Sequence, residues 1–370
     1  MNGSRWCVVL LLIVVCGCDS PSPTSEGIPI GEALGEGNSE GFARATEVRT
    51  FRFPRDHGPH PAFRNEWWYI TGNLKSREGR RFGFQATFFR SGLRPSVAPS
   101  PSAWRTNQIW MAHAALTDLK RVVHLSDERF ARQGAGLAGA AVGPVRVWLE
   151  NWQLEQAQGE RRWQLQLPAE DFELDLTLEQ SAPIVLQGNQ GLSQKSATPG
   201  NASYYYSIPR MQVSGRITQG DREHAVTGLA WFDREWSTSA LSTDQEGWDW
   251  FSLHIRDGRN LMFYRLRTKG GGNDPNSGGS VSDGSGLVQT LGPESLSLTP
   301  LRYWTSEGRH YPIEWRLQLQ GEPSPWIVKA ILEDQEMALS VHYWEGAVDV
   351  IDERSSNLLG SGYLEMTGYQ

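Results

Sequence analysis

The stretch Phe82-Gly83-Phe84-Gln85-Ala86-Thr87-Phe88 alternates apolar residues with small or polar ones. Because successive side chains of a β-strand point to opposite faces, this period of two predicts a strand with one buried face. The segment from Trp248 to Arg267 predicts a hairpin, since two apolar runs flank the tight-turn pair Asp257-Gly258. The same alternation recurs along most of the chain after residue 50, for example at Val145–Leu149, Trp163–Leu167, Phe172–Leu178 and Trp315–Leu319.

These patterns predict an all-β protein. Many short antiparallel strands leave exposed edges unless their sheet closes, which favours barrels or sandwiches. A chain of 370 residues suits two barrels of about eight to ten strands each. We place the first domain at residues 49–238 and the second at 239–370, with the boundary in the small, polar stretch Ser237–Thr243.

Three segments depart from the strand pattern. Asp127–Arg132 has the pattern of a single helical turn. Pro95–Ser102, rich in Pro and Ser, and Gly270–Gly286, rich in Gly, Ser, Asn and Asp, are predicted to be loops, the second of them long and flexible.

The first 17 residues have the features of a secretory signal peptide, with Arg5 followed by the apolar run Val8–Val15. That run is too short to span about 30 Å of hydrocarbon. Val15-Cys16-Gly17-Cys18 resembles a bacterial lipoprotein box and predicts that Cys18 is lipidated, with palmitate as one acyl chain. An ordinary signal peptide with a different cleavage site is the alternative.

Residues 18–48 are rich in Pro, Ser, Gly and acidic side chains and have no apolar period, which predicts a disordered, flexible tether. Together with the lipid anchor, this predicts a protein of the bacterial cell envelope. The membrane to which it is tied could be the inner or the outer one, at the periplasmic face.

The composition argues against several classes of function. Cys7, Cys16 and Cys18 all lie in the first 18 residues, which leaves the remaining chain without a disulfide, a Cys-ligated metal or a Cys nucleophile. A net charge of −7, with only five Lys among 35 basic residues, gives no basic surface for nucleic acid. The eight His are scattered, and the common motifs for metal, phosphate or calcium binding and for serine hydrolases do not occur. We expect neither a metal nor a cofactor.

Sixteen tryptophans predict wide apolar walls, either inside the fold or around a ligand. On a strand, Asp233 and Glu235 share a face with Trp231, whereas Glu66 and Trp68 share the face opposite to Trp67. One interpretation is core packing, with each carboxylate paired to an arginine. The other is a Trp-lined barrel interior, where a desolvated carboxyl has a raised pKa and acts as a general acid.

A set of motifs spread over the chain points to a family. They are Asn65-Glu66-Trp67-Trp68-Tyr69, Trp231-Phe232-Asp233-Arg234-Glu235-Trp236, Gly247-Trp248-Asp249-Trp250, Tyr343-Trp344-Glu345-Gly346 and the ending from Gly362 to Tyr369. Together they resemble the AttH-like proteins, which are bacterial exported proteins or lipoproteins of the carotenoid 1,2-hydratase (hydroxyneurosporene synthase) superfamily. The resemblance runs from about Phe51 to the C-terminus. It implies two lipocalin-like β-barrels packed side by side and, as for many members, an association with an ABC-type export permease.

In the hydratases an Asp-His-Asn-Trp motif is implicated in protonating a polyene double bond, and the resemblance places it on residues 233–236. Asp233 and Trp236 match, whereas Arg234 replaces the His and Glu235 replaces the Asn. Because arginine does not exchange protons near neutral pH, Arg234 cannot take over the acid–base role of a histidine. Asp233 remains the candidate acid.

Three functional hypotheses follow. The first is a lipoprotein that holds a hydrophobic or amphipathic ligand, such as a lipid or an isoprenoid, in a barrel. The second is a hydratase, isomerase or hydrolase for a hydrophobic substrate, with Asp233 as general acid and Glu235 or His113 as base. The third is a structural partner of a membrane transporter. The predicted catalytic residues are Asp233, Glu235, Trp236 and His113, and the predicted ligand-binding residues are Glu66, Trp67, Trp68, Tyr69, Trp231, Trp248, Asp249 and Trp250.

Overall fold

The computed structural model describes residues 28–29, 39–96, 101–157, 161–238 and 241–369. The predicted signal peptide, the lipidation site Cys18 and most of the predicted tether lie outside these ranges. The described residues form β-strands and two short 3₁₀ turns, at Arg55–His57 and Gly134–Gly136. The prediction of an all-β protein is confirmed.

The first sheet is built from the following strands: β2 (Asn65–Ser76), β3 (Arg81–Gly92), β4 (Gln108–Asp118), β5 (Val123–Arg132), β6 (Ala138–Ala141), β7 (Val145–Leu149), β8 (Trp152–Gln156), β9 (Arg162–Pro168), β10 (Glu173–Gln180), β11 (Val185–Leu186), β12 (Leu192–Gln194), β13 (Ala202–Gln219) and β14 (Arg222–Ser237). Their order is β5-β4-β3-β2-β14-β13-β10-β9-β8-β7-β6, with β11 and β12 added to β13. All neighbours in this sheet are antiparallel.

The second sheet contains β1 (Ile28–Pro29), β15 (Gln245–Ile255), β16 (Asn260–Thr268), β17 (Gly278–Ser282), β18 (Val288–Leu291), β19 (Leu296–Ser306), β20 (Arg309–Leu319), β21 (Trp326–Ala330), β22 (Glu336–Ala338), β23 (Val341–Asp352) and β24 (Leu358–Met366). Their order is β18-β17-β16-β15-β24-β23-β21-β20-β19, with β1 and β22 added to β23. Strand β1 pairs in parallel with β23, through Val341 and His342.

The two sheets are curled into barrel-like shapes that lie side by side, as expected. They contain 13 and 11 strands, which corrects the expected eight to ten. Short strands account for part of the difference: β11 and β12 lie on the long strand β13, and β1 and β22 lie on β23.

Two local predictions were wrong. Asp127–Arg132 belongs to strand β5, not to a helical turn, and pairs residue by residue with β4. As an edge strand, β5 is half-buried along most of its length, which removes the alternation that marks a strand. The predicted loop Gly270–Gly286 contains strand β17, whose Gly279 lies so close to β16 that a Cβ would collide with the Met262 carbonyl oxygen. Of the other predicted loop, residues 97–100 lie outside the described ranges.

Each curled sheet encloses its own hydrophobic core. Large side chains such as Trp68, Trp110 and Trp163 fill the first interior, and Trp315 and Trp344 lie in the second. These residues stand at alternate positions of each strand, where the side chains point inward, in agreement with the period of two. The expectation of a ligand inside a Trp-lined barrel is therefore not met by these interiors, which their own side chains occupy.

The side chains that point outward from several strands are buried as well, because the two barrels pack against each other. Two further apolar clusters contain residues of both sheets: Tyr69, Tyr205 and Trp231 meet Trp250 in one of them, and Phe89, Met111 and Tyr343 meet in the other. Strands β2, β3, β13 and β14 thus face β15, β16, β23 and β24. The functional candidates lie in this contact.

Candidate functional site

A pocket opens between the two barrels, which we call the interface pocket. Its empty space, counted together with the open solvent at its mouth, is about 890 Å³. It is lined by Trp67, Tyr69, Thr87, Phe89, Lys195, Tyr205, Asp233, Glu235, Ser237, Leu241, Trp248, Trp250, Tyr264, Leu266, Tyr343, Glu345 and Glu365.

Eight of its 17 lining residues are aromatic. Tyr69 and Trp250, from different sheets, meet edge to face with ring centres 5.1 Å apart, and Trp250 donates its indole N–H to the Tyr205 hydroxyl over 3.1 Å. Trp67 and Trp248 are only half-buried. Such a wall suits a flat or elongated apolar molecule.

Asp233 projects from β14 into this pocket. Its Oδ1 accepts hydrogen bonds from the Ser207 hydroxyl (2.5 Å) and the Trp231 indole N–H (2.7 Å), and its Oδ2 accepts one from the Tyr205 hydroxyl (2.7 Å). Burial raises the pKa of Asp233 to about 7, against the three hydrogen bonds, which lower it. The carboxyl is therefore balanced between its acid and its base form near neutral pH.

Glu235, two residues further along β14, is paired with a cation. Its Oε1 lies 3.0 Å from Nζ of Lys195, and that ammonium group is 4.4 Å from the centre of the Tyr264 ring. Burial alone would lower the pKa of Lys195, but the Glu235 carboxylate outweighs it and raises that pKa. Glu235 and Lys195 thus form an ion pair at one side of the pocket.

The second barrel contributes two carboxyl groups from adjacent strands. Glu345 on β23 pairs directly with Glu365 on β24 in the sheet register, so their side chains point to the same face. Burial raises the pKa of Glu345 well above its usual range, and the neighbouring Glu365 raises it further. Burial also raises the pKa of Glu365 to about 7, although the Trp248 indole N–H, 2.8 Å from its Oε1, lowers it.

Glu345 is fully buried, and within the described part of the chain neither of its oxygens makes a hydrogen bond. The hydroxyl groups of Tyr69 and Tyr343 lie beside it, close enough for hydrogen bonding to its ionised form to lower its pKa. A buried, unpartnered carboxyl that faces a pocket is costly for the fold. Such a group is typical of a site that acts on a ligand.

His113 lies one layer behind the pocket wall. Its Nδ1 is 2.8 Å from the hydroxyl of Tyr343, and burial lowers its pKa to about 3, so that the ring is neutral. The structure therefore connects His113 to the pocket through Tyr343, and not to Asp233, with which the sequence had grouped it.

Three predicted site residues lie inside the first barrel instead. The fully buried Glu66 contacts Arg90 Nε and Arg234 Nη2, and the Arg234 guanidinium lies 3.7 Å from the centre of the Trp68 ring. Trp236, on the same inward phase, stacks on His60 at 3.7 Å. Arg234, at the position of the hydratase histidine, is thus part of a buried ion cluster that faces away from the pocket.

Asp249 lies inside the second barrel. Its two oxygens are 2.6 Å from Arg265 and from Arg267, and Oδ1 also accepts a hydrogen bond from the Tyr369 hydroxyl. Its neighbours Trp248 and Trp250, on the other phase of the strand, line the pocket together with Trp67, Tyr69, Asp233 and Glu235. Trp231 packs behind Asp233 and donates to it.

The sequence reasoning missed Lys195, Tyr205, Tyr343, Glu345 and Glu365. A signal for two of them was present, since Glu345 and Glu365 each stand two residues after a tyrosine in the outward phase of an apolar strand. Among the residues that the structure covers, no cluster of three or more His, Cys, Asp or Glu side chains is arranged to hold a metal. In the same ranges, no helix is long and apolar enough to cross a membrane.

Comparisons with known proteins place this geometry in context. A family model described as AttH-like matches residues 44–369. The crystal structure of an AttH protein from Nitrosomonas europaea is 37% identical in sequence, with a TM-score of 0.79, and the match covers 89% of this chain and 100% of that one. A comparison with curated protein sequences found no significant match.

Two more distant structures share the fold. Kievitone hydratase from Nectria haematococca is 15% identical with a TM-score of 0.67, over 89% of this chain and 97% of its own. CghA is 12% identical with a TM-score of 0.54, over 89% of this chain and 96% of its own. At these identities the likeness is one of fold alone.

Proposed function

The chain belongs to the AttH-like family, and we propose that its interface pocket binds an apolar small molecule and protonates it, as a hydratase or an isomerase does. The observation that carries this proposal is the meeting, in one aromatic pocket, of three carboxyl groups whose pKa is raised. Burial raises the pKa of Asp233 and Glu365 to about 7 and that of Glu345 well above its usual range. Such groups hold a proton at neutral pH and can donate it.

Hydration of a carbon–carbon double bond would proceed in two steps. A protonated carboxyl donates its proton to one carbon, which breaks the π bond and leaves a positive charge on the other carbon. The faces of Trp67, Trp248 and Trp250 are suited to stabilise that charge. A water oxygen then bonds to the cationic carbon, and its surplus proton returns to a carboxylate, so that one water is added.

The named relatives support this proposal only at the level of fold. Kievitone hydratase, whose name describes a hydratase, has the same arrangement of sheets over nearly the whole chain. The Arg234 that replaces the hydratase histidine is no obstacle here, because it faces the interior of the first barrel and the pocket acids come from other positions.

Binding without chemistry is the second candidate, and the environment of Asp233 favours it. Three hydrogen bonds occupy both Asp233 oxygens, which is also how a purely structural carboxylate is held. In that case the protein is a carrier for a lipid or an isoprenoid.

We further propose, from the sequence alone, that Cys18 anchors the protein by a lipid at the periplasmic face of a bacterial membrane. An ABC-type export permease would then be a partner. A lipid anchor would keep the interface pocket close to a membrane that supplies apolar molecules.

The test begins with ligands extracted from the purified protein and identified by native mass spectrometry. A panel of neutral polyenes and prenylated phenols is then incubated with the protein in oxygen-labelled water, and products that gain one labelled water are measured. We expect one class of compound to bind and to be hydrated or isomerised. Of the variants Asp233→Asn, Glu345→Gln and Glu365→Gln, the one that removes the donating carboxyl should slow the conversion by about 10²–10⁴-fold while binding persists. Binding without any conversion would support the carrier, and absence of any bound compound would contradict both candidates.

A further inference from the structure

We propose that Glu345 and Glu365 act as one proton-donating pair and that a chain of side chains behind the pocket resupplies it with protons from solvent. The chain consists of Tyr343, His113 and Glu128. This inference rests on the proposed function, because it names the acid of that site and the source of its proton.

The pair is defined by the sheet. Glu345 and Glu365 are direct cross-strand neighbours on β23 and β24, and both are buried, with exposed fractions of 0% and 9%. Two buried carboxyl groups that are direct cross-strand neighbours cannot both be ionised at little cost, so they share a proton. Unlike Asp233, whose oxygens accept three hydrogen bonds, Glu345 has both oxygens free of hydrogen bonds in the described part of the chain. It is therefore the carboxyl best placed to give its proton to a bound molecule.

The chain behind the pair leads outward through the first barrel. Tyr343 lines the pocket beside Glu345, and its hydroxyl lies 2.8 Å from Nδ1 of His113. The other ring nitrogen, Nε2, points to Glu128 at 3.8 Å, a gap that one water can bridge. Glu128 faces His113 directly across strands β5 and β4, and its side chain is 24% exposed.

The protonation state of His113 suits this role. Because burial keeps the ring neutral, one nitrogen carries a hydrogen and the other can accept one. Such a ring passes a proton by taking it on one nitrogen while releasing it from the other. Nε2 of His113 makes no hydrogen bond within the described residues, so it is available to accept.

The transfer balances as a shift of three protons by one position each. Once Glu345 has given its proton to the substrate, its negative charge draws the adjacent Tyr343 hydroxyl into a hydrogen bond, and that hydroxyl gives its proton to Glu345. Tyr343 takes the hydrogen of His113 Nδ1, and His113 Nε2 takes a proton from water held at Glu128. The net result is one proton moved from solvent to Glu345, with Tyr343 neutral again and His113 in its other tautomer. The same shift in reverse moves a proton from the pair to solvent and restores the starting tautomer of His113.

An apolar substrate leaves the pair without a proton source from the front when the surplus proton of the added water goes to Asp233 rather than back to the pair. When a ligand fills the pocket it covers the half-exposed rings of Trp67 and Trp248 at the mouth and separates the pair from bulk water. The rear chain does not pass through that mouth.

The charged and titratable groups that face the pair from the elements packed on it are Tyr69, Lys195, Asp233, Glu235, Tyr343 and Tyr363.

The experiment follows the carbonyl stretch of protonated carboxyl groups by infrared spectroscopy in the purified protein. A pH titration of the native protein should show a carboxyl band that persists above the ordinary pKa range of glutamate, and Glu345→Gln should remove it. In Glu365→Gln the band of Glu345 should disappear at a lower pH, because the like charge that raised its pKa is gone. If neither variant alters a persistent band, the assignment of the pair is wrong.

The chain is tested by the rate at which this band responds to a pH jump while a neutral apolar dye, Nile red, fills the pocket. Tyr343→Phe should slow the response by about tenfold, the equivalent of one lost hydrogen bond. Glu128→Gln, at the half-exposed end, should slow it as well, and the glutamine side-chain oxygen can still accept the hydrogen bonds from Ser340. Tyr264→Phe is the matched control, since Tyr264 lines another wall and bonds Ser193. An unchanged rate in Tyr343→Phe and Glu128→Gln would overturn the chain, whereas failure of Nile red to bind would contradict the proposed function and leave the pair testable in the empty protein.

Discussion

The carboxylate of Glu66 is a strong test of how the first barrel is held together. Both of its oxygens accept hydrogen bonds from the backbone N–H of His60, at 3.1 and 2.9 Å, and they contact the guanidinium groups of Arg90 and Arg234. The side chains of Glu66 and Arg234 are fully buried and that of Arg90 is 1% exposed. Burial alone would raise the pKa of Glu66, but Arg90 and Arg234 outweigh it and hold that pKa well below its usual range.

Glu66→Gln keeps the shape of the side chain and removes its charge. The amide NH₂ then faces guanidinium donors, and two arginine charges remain in the core without their carboxylate. Breaking a buried ion pair in this way costs about 3–5 kcal/mol. Because the folded pKa of Glu66 is depressed, its contribution to stability is present above the unfolded pKa and is lost as pH falls. The difference between the native protein and Glu66→Gln should therefore be largest near neutral pH and shrink in acid.

Urea unfolding followed by circular dichroism at several pH values measures this difference. Asp233→Asn is the matched control, because it is the same change on a strand paired with that of Glu66. Asp233 has a raised pKa of about 7, so its ionised form destabilises the native protein as pH rises from the unfolded pKa through that value. The variant should thus be at least as stable as the native protein at pH 8. A loss below about 1 kcal/mol in Glu66→Gln, the size typical of a surface pair, would refute the reasoning.

Two further predictions concern the contact between the barrels. Trp248→Phe removes the indole N–H that lowers the pKa of Glu365, so infrared titration should show that pKa rising above about 7; an unchanged or lower value would contradict the assigned contact. Gly83→Ala places a Cβ 2.7 Å from that of Ala347 and 2.9 Å from the Tyr363 hydroxyl, which should cost about 1–3 kcal/mol in urea unfolding. Gly284→Ala, where a Cβ has open space, is its control, and equal stability of the two variants would show that the barrels separate easily.

The strands were predictable because their inward phase is apolar in the sequence itself. Phe82, Phe84 and Phe88 all point into the first core, as the period of two requires. Strand β5 was missed for a physical reason. It is an edge strand that is half-buried on both faces, so its apolar residues are not confined to alternate positions. Strand β17 was missed because four of its five residues are Gly or Ser, a composition that is also typical of loops. Its burial depends on the neighbouring strands β16 and β18.

The alternation of side chains along a strand also assigns the candidate residues correctly to its two faces. It does not show which of the two faces lines a ligand pocket. Asp233 and Trp236 stand in one motif and lie on opposite faces of β14. Only the position of the second barrel turns the outward face, with Asp233, into a pocket wall and leaves Trp236 in the first core. Sequence proximity therefore joined residues that the fold separates.

The same reasoning explains why Glu345 and Glu365 were overlooked. In an isolated barrel the outward phase of a strand faces water, and a glutamate there is an ordinary solvent-exposed residue. Packing of the first barrel buries this phase and converts the two glutamates into desolvated neighbours. Tyr343 and Tyr363 also point outward from these strands. Large aromatic rings are stabilised by burial, so their presence indicates that this face of the sheet is covered and does not face solvent. Aromatic residues in the outward phase of adjacent strands predict a covered face, and a carboxyl among them is then a candidate acid rather than a surface charge.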